Sequence, residues 1–267
     1  MSRSSARAAV GACLLVSCGW GTGKSFMEEP LTPEPPRSNV PGEGSPPPPL
    51  ARAPSRTLGK PKTAEDDVAA RVAAAGGQSL GPFRNTYYDF PRESDFTGPT
   101  VPVMNASCKP IVDVPRPFFE TLCVQGSGSL KRGGTVSFAK RDCACAEACP
   151  RTGQKICFDA LDAERFPWGR GATGKAIAPW RSVAADTTVL PMGAVLYVPE
   201  LDGVPRDEGK PHDGCFRVED RGSRVSGKHV DFFTGSPTET ARVNGIVPSN
   251  EGVTVVVHSP KCAHLAQ

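Results

Sequence analysis

Three aspartates in the last third of the chain stand in surroundings that suit acid–base chemistry. Asp186 closes the run Arg181-Ser182-Val183-Ala184-Ala185-Asp186, ahead of Leu190-Pro191-Met192-Gly193. Asp220 lies in Val218-Glu219-Asp220-Arg221-Gly222, and Asp231 lies in His229-Val230-Asp231-Phe232-Phe233. Each ends or interrupts a short apolar, alternating run, so each is expected on or beside a strand. A carboxyl held against apolar neighbours is desolvated, which disfavours its charged form and raises its pKa. A carboxylic acid that keeps its proton near neutral pH suits general-acid work. Asp231, next to Val230 and Phe232, has the most apolar setting. Asp220 precedes it across the Gly222-to-Gly227 turn, and a second carboxylate brought close would raise the first further. Asp220 also reads as a brace for that turn. Asp186 divides between a site role and an Asx turn with Thr187 and Thr188.

The elements that must hold these residues are short strands with Gly and Pro punctuation. The runs are Arg84 to Phe90, Thr121 to Gln125 (halted by Gly126-Ser127-Gly128), Gly134 to Ala139, Arg181 to Ala185, Ala194 to Val198, Cys215 to Val218, Val230 to Phe233 and Gly252 to Val257. Many such strands predict a mainly β body, a barrel or sandwich, over residues 78–267. A segment at about 141–175 is cysteine-rich and irregular. Residues 63–77 predict one short helix, capped by Thr63 and stopped by Gly76-Gly77.

Upstream, residues 1–17 read as an export signal, with Arg3 and Arg7 ahead of a short apolar stretch. Leu15-Val16-Ser17-Cys18 resembles the bacterial lipobox, so Cys18 is the expected lipidation site and membrane anchor. Residues 18–62 are proline-rich and predict a disordered, extended tether. Net charge is only +3, so nucleic acid is not an expected partner. Of ten cysteines, Cys13 would leave with the signal and Cys18 would take the lipid. Cys108, Cys123, Cys143, Cys145, Cys149, Cys157, Cys215 and Cys262 remain. In an exported chain they read as disulfides of open pairing. Zinc on the 143–157 cluster is the alternative, disfavoured because paired Cys-x-x-Cys knuckles are missing. No cofactor or metal is expected.

The aspartate segments together resemble the 3D domain, named for its three aspartates. Val124-Gln125-Gly126-Ser127-Gly128, and Tyr87-Tyr88 in the first strand, resemble motifs of the membrane-bound lytic transglycosylase A (MltA) family. The resemblance implies a double-psi β-barrel. It also implies cleavage of the β-1,4 bond between N-acetylmuramic acid and N-acetylglucosamine in peptidoglycan glycan strands, with closure of a 1,6-anhydro ring. One aspartate performs both proton transfers in that family, and the matching position is Asp231. Because the substrate carries its own nucleophile, the usual flanking pair of carboxylates is not required. With the lipobox, and Gly19 after the cysteine, the expected location is the outer membrane, facing the periplasm. The family inserts a long second domain where this chain has only residues 89–124, so the expected groove is short.

Asp186, Gln125, Gly126, Ser127, Gly128 and Thr86 are the candidate substrate-binding residues. The glycines would allow close backbone approach, and Gln125 and Ser127 would bond sugar hydroxyls; a tight turn is the plain alternative. Thr86 is either a groove residue touching the acid or an ordinary strand threonine. His229 reads as a surface residue on the face opposite Asp231, and Trp168 and Trp180 as aromatic packing. Two other functions compete: an expansin-like, non-catalytic cell-wall polysaccharide-binding module, and a peptidoglycan hydrolase that uses water.

Overall fold

The computed structural model describes residues 63–266 apart from Glu208. The signal, Cys18 and the tether lie outside the described residues. Helix α1 (Ala64–Ala75) starts at Thr63, whose hydroxyl accepts from Asp66 N while Asp66 bonds back to Thr63 N. This reciprocal capping satisfies two donors at the helix start.

Strand β1 (Gln78–Tyr88) follows. Next come β2 (Thr100–Met104), β3 (Pro110–Pro115), α2 (Arg116–Gln125), β4 (Ser127–Ser129), β5 (Thr135–Lys140) and β6 (Cys157–Leu161). The chain then runs through β7 (Ser182–Ala185), β8 (Val195–Asp202), β9 (Asp213–Asp220), β10 (His229–Phe233), α3 (Pro237–Ile246) and β11 (Val253–Val257).

Six of these strands close a barrel in the order β1-β10-β7-β9-β8-β11. The pairs β1/β10 and β7/β9 are parallel and the others antiparallel. The fold is mainly β, with the double-psi barrel expected from the family resemblance. Its interior is filled by Phe83, Val183, Leu196, Phe216, Val218, Val230, Phe232, Val253 and Val255, all buried. Side chains on a strand alternate between faces, so their neighbours Thr86, Ala184 and Asp231 point outward.

The stretch between β1 and β7 builds a second lobe from β2 paired with β3 and from the sheet β4-β5-β6. Phe118, Phe119, Leu122, Val136 and Phe158 form its core. Disulfides Cys108–Cys145, Cys123–Cys149 and Cys143–Cys157 staple it, and Cys215–Cys262 ties β9 to the C-terminal turn. The stapled segment is thus not irregular throughout, since it contains β6.

Two sequence expectations change here. Thr121 to Gln125 is the end of α2, not a strand; Phe118, Phe119, Leu122 and Cys123 recur at helical spacing and are buried. Pro117 opens the helix and Gly126 ends it in the left-handed conformation, φ 81°, the expected proline-first, glycine-last signature. Conversely Ser127 and Gly128 are strand rather than turn.

Candidate active site

Barrel pairing sets Thr86 beside Asp231, Asp231 beside Ala184, and Ala184 beside Asp220. The four residues form one row across β1, β10, β7 and β9. Strands about 4.8 Å apart place the two aspartate Cα atoms about 10 Å apart. Only the methyl group of Ala184 stands between them. The register of β7 against β9 slips between Val183 and Ala184, where β9 carries one extra residue. This bulge at Glu219 turns Asp220 onto the outward face, and Glu219 itself accepts a 2.5 Å hydrogen bond from Ser182 Oγ.

Thr86 Oγ1 lies 2.7 Å from Asp231 Oδ1 and 2.9 Å from His229 Nε2. Tyr88 donates to Asp220 Oδ2 at 3.2 Å, and Arg221 N donates to Oδ1 at 2.8 Å. The main chain of Ala172, from the second lobe, also bonds Asp220. Ala184 of the row packs in a cluster with Tyr88, Phe90, Ile177 and Phe233, with Trp168 and Val225 against them.

Burial pushes the Asp231 carboxyl up to about 6, Asp220 adds to the rise, and Thr86 and Arg84 oppose it. Burial likewise raises Asp220 to about 6 against its hydrogen bonds to Arg221, Tyr88 and Ala172. The Tyr88 phenol is held well above its ordinary value, first by burial and then by both aspartates, so it stays a neutral donor. His229 is lowered by burial and by Arg84, against a main-chain hydrogen bond to Arg224. The arrangement offers two carboxyls of raised pKa on one face, separated by Ala184.

The remaining candidates fall in two places. Asp186 sits at the end of β7 and spends its oxygens on Thr188 N, Thr188 Oγ1 and Gly227 N. These bonds lower its pKa, Gly227 most of all, and they hold the turn that leads into β10. Gln125 accepts from Asp89 N at 3.2 Å. Ser127 is buried, with its hydroxyl 2.7 Å from that of Ser137. A side chain on Gly128 would meet Phe118 and the Pro91 carbonyl at 3.0 Å. The Gln125-to-Gly128 segment therefore works largely inside the second lobe.

Trp168 packs edge-on against Phe90 and Phe233, and Trp180 donates to Glu239. His229 is a correction: it is 5% exposed and shares the face of Asp231, because residues two apart on a strand point the same way. Tyr88 is on that face for the same reason, two residues beyond Thr86. The spacing was in the sequence; the phenol's role as a donor to Asp220 was not read from it.

Among the described residues, two clusters have metal-ligand geometry, Cys108–Cys143–Cys145 and Asp213–Cys215–His264. The cysteines of both are consumed by disulfides. Two concavities, of about 290 Å³ beside Gln125 and about 720 Å³ beside Leu190, contain neither Asp220 nor Asp231. The candidate site is the outward face of the barrel.

Residues 181–257 match the model of the 3D domain, a span that contains all three aspartates. No curated protein matches the sequence. Among solved structures, the chain is similar to Escherichia coli MltA with bound chitohexaose, at 16% identity over 67% of this chain and 72% of that one, TM-score 0.48. A membrane-bound lytic murein transglycosylase from Agrobacterium tumefaciens is 17% identical over 58% and 54%, TM-score 0.40. The lytic transglycosylase LtgG of Burkholderia pseudomallei is 19% identical over 67% of each chain, TM-score 0.33.

Proposed function

We propose that this chain, whose residues 181–257 match the 3D-domain model, is a peptidoglycan lytic transglycosylase, with Asp231 as its acid and then its base. The carrying observation is the outward row Thr86–Asp231–Ala184–Asp220, in which two carboxyls of raised pKa share one face with a single alanine between them.

Protonated Asp231 gives its proton to the glycosidic oxygen between N-acetylmuramic acid and N-acetylglucosamine. The C1–O bond breaks, and Asp231 is left as carboxylate. It then takes the proton of the muramic acid C6 hydroxyl, whose oxygen bonds C1 and closes the 1,6-anhydro ring. The acid is regenerated and no water is consumed. Asp220, held by Tyr88, Arg221 and Ala172, supplies negative charge that favours the oxocarbenium-like transition state. It also keeps the Asp231 proton affinity high.

Asp186, Gln125 and the Gly126-to-Gly128 segment support substrate in this reading by fixing the walls of the groove. Export with a lipid on Cys18, and action on glycan strands from the periplasmic face of the outer membrane, complete the proposal.

The test is digestion of purified sacculi by wild type and by Asp231→Asn, with mass analysis of the products. Anhydro-muropeptides from wild type, falling at least 100-fold in the variant, are expected. Reducing ends would make the chain a hydrolase. Bound sacculi without fragments would make it a binding module. Undiminished release by the variant would remove Asp231 from its role.

A further inference from the structure

Thr86 has one hydroxyl hydrogen and two claimants, Asp231 Oδ1 at 2.7 Å and His229 Nε2 at 2.9 Å. His229 is buried, and with Nε2 on Thr86 only Nδ1 is left for the main chain of Arg224. That bond raises the His229 pKa, and we assign it to Nδ1–H because Nε2 faces Thr86. A neutral imidazole in this setting presents a bare Nε2 lone pair to Thr86.

We propose that His229 governs the protonation of Asp231 through the single hydroxyl hydrogen of Thr86. A neutral His229 competes with the Asp231 carboxylate for the Thr86 hydrogen; when Thr86 donates to Nε2, its oxygen can only accept, and the Asp231 contact is kept by the protonated acid as donor, the form a general acid needs. When His229 is a cation, Nε2–H donates to Thr86, and the hydroxyl hydrogen turns to the Asp231 carboxylate. The two states interconvert by a balanced pair of shifts. The Asp231 proton passes to Thr86 Oγ1 as the Thr86 proton passes to His229 Nε2, and the trio keeps the same number of protons.

His229 touches no substrate; it is a positioning residue. The other charged and titratable groups near the trio are Arg84 on β1, which lowers both Asp231 and His229, and Asp220 on β9. Tyr88 on β1 feels both aspartates and Glu219. Arg84 favours neutral His229 and ionised Asp231 together.

The inference rests on Asp231 being the acid of the reaction above, but its decisive measurement does not need that reaction. In the full chain, the Asp231 carboxyl is titrated by carbon-13 NMR in wild type, His229→Leu, Thr86→Val and the double variant. His229→Leu leaves Thr86 free to donate to the carboxylate, so the midpoint should move acidward by about one pH unit. A merely structural swap to leucine would increase desolvation and move it the other way. In Thr86→Val the same histidine substitution should cause no further shift. His229→Gln, whose amide oxygen accepts, should restore the wild-type midpoint.

An unchanged midpoint in His229→Leu, or an equal shift in the Thr86→Val background, overturns the relay. So does a nitrogen-15 spectrum of wild-type His229 showing the Nε2-protonated neutral tautomer, a reading that needs no variant. If sacculi are digested, the alkaline limb of kcat/KM should move with the carboxyl midpoint. If they are not, the transglycosylase reading fails, while the titration still decides the relay.

Discussion

A carboxyl whose folded pKa stands above its unfolded value costs stability wherever it is ionised. Asp220 and Asp231 both rise to about 6, against about 3.9 in an unfolded chain. Between these values the native state binds more protons than the unfolded one, so stability is full below about pH 4 and falls as pH rises through 6. Asp231→Asn removes one of the two desolvated charges and keeps the shape. At pH 7.5 it should stabilise the protein by about 1–2 kcal/mol, raising Tm by several degrees. At pH 4, where wild type is already protonated, the gain should vanish. Melting curves of the two proteins that coincide at both pH values would mean that Asp231 is not strained by its surroundings. Gain of stability with loss of function is expected where a site is built from buried charge.

The elements around the row explain how the second lobe reaches the chemistry. A Cβ on Gly171 would lie 2.3 Å from the Glu219 carbonyl and 2.8 Å from Ile177. Only a bare backbone lets this loop lie on the β9 bulge, where Ala172 bonds Asp220. Gly171→Ala should lift the loop, cost about 1–3 kcal/mol, and raise the Asp220 midpoint by removing a hydrogen bond to its charged form. A destabilised variant with an unmoved Asp220 titration would detach the loop from the site. Strands β7, β9 and β10 were legible from their short apolar runs, but the row was not, because Asp220 reaches the outward face only through the β9 bulge. Hairpin β2/β3 was not, since Pro102, Pro110 and Pro115 argue against a strand; they are tolerated because a two-stranded sheet is all edge. Helix α3 carries a readable start, Ser236 accepting from Glu239 N ahead of Pro237, yet its few apolar residues give no periodicity to follow. Helix α2 was misread because Thr121 to Val124 suits a strand locally, and its helical register shows only with Phe118 and Phe119 included. The disulfide pairing depends on contacts between segments distant in the sequence, which spacing alone does not encode.

At the scale of the whole described body, stability is divided unequally. The barrel closes on itself and has a large apolar interior. The second lobe has two small sheets, one helix and three of the four disulfides among the described residues. These three close loops with sequence separations of 37, 26 and 14 residues. Loops of that size constrain the unfolded chain by about 3–4 kcal/mol each in the entropic account. Small folded units that lack a large core often depend on such staples. Thiol reductant should therefore open the lobe before the barrel. In hydrogen exchange, amides of β4, β5 and β6 should lose protection at reductant levels where β7, β10 and β11 keep theirs. Because Ala172 then leaves Asp220, muropeptide release should fall with the lobe rather than with the barrel, and recover on reoxidation. Loss of protection in both parts at the same reductant concentration would mean that lobe and barrel unfold as one cooperative unit, with the staples sustaining both.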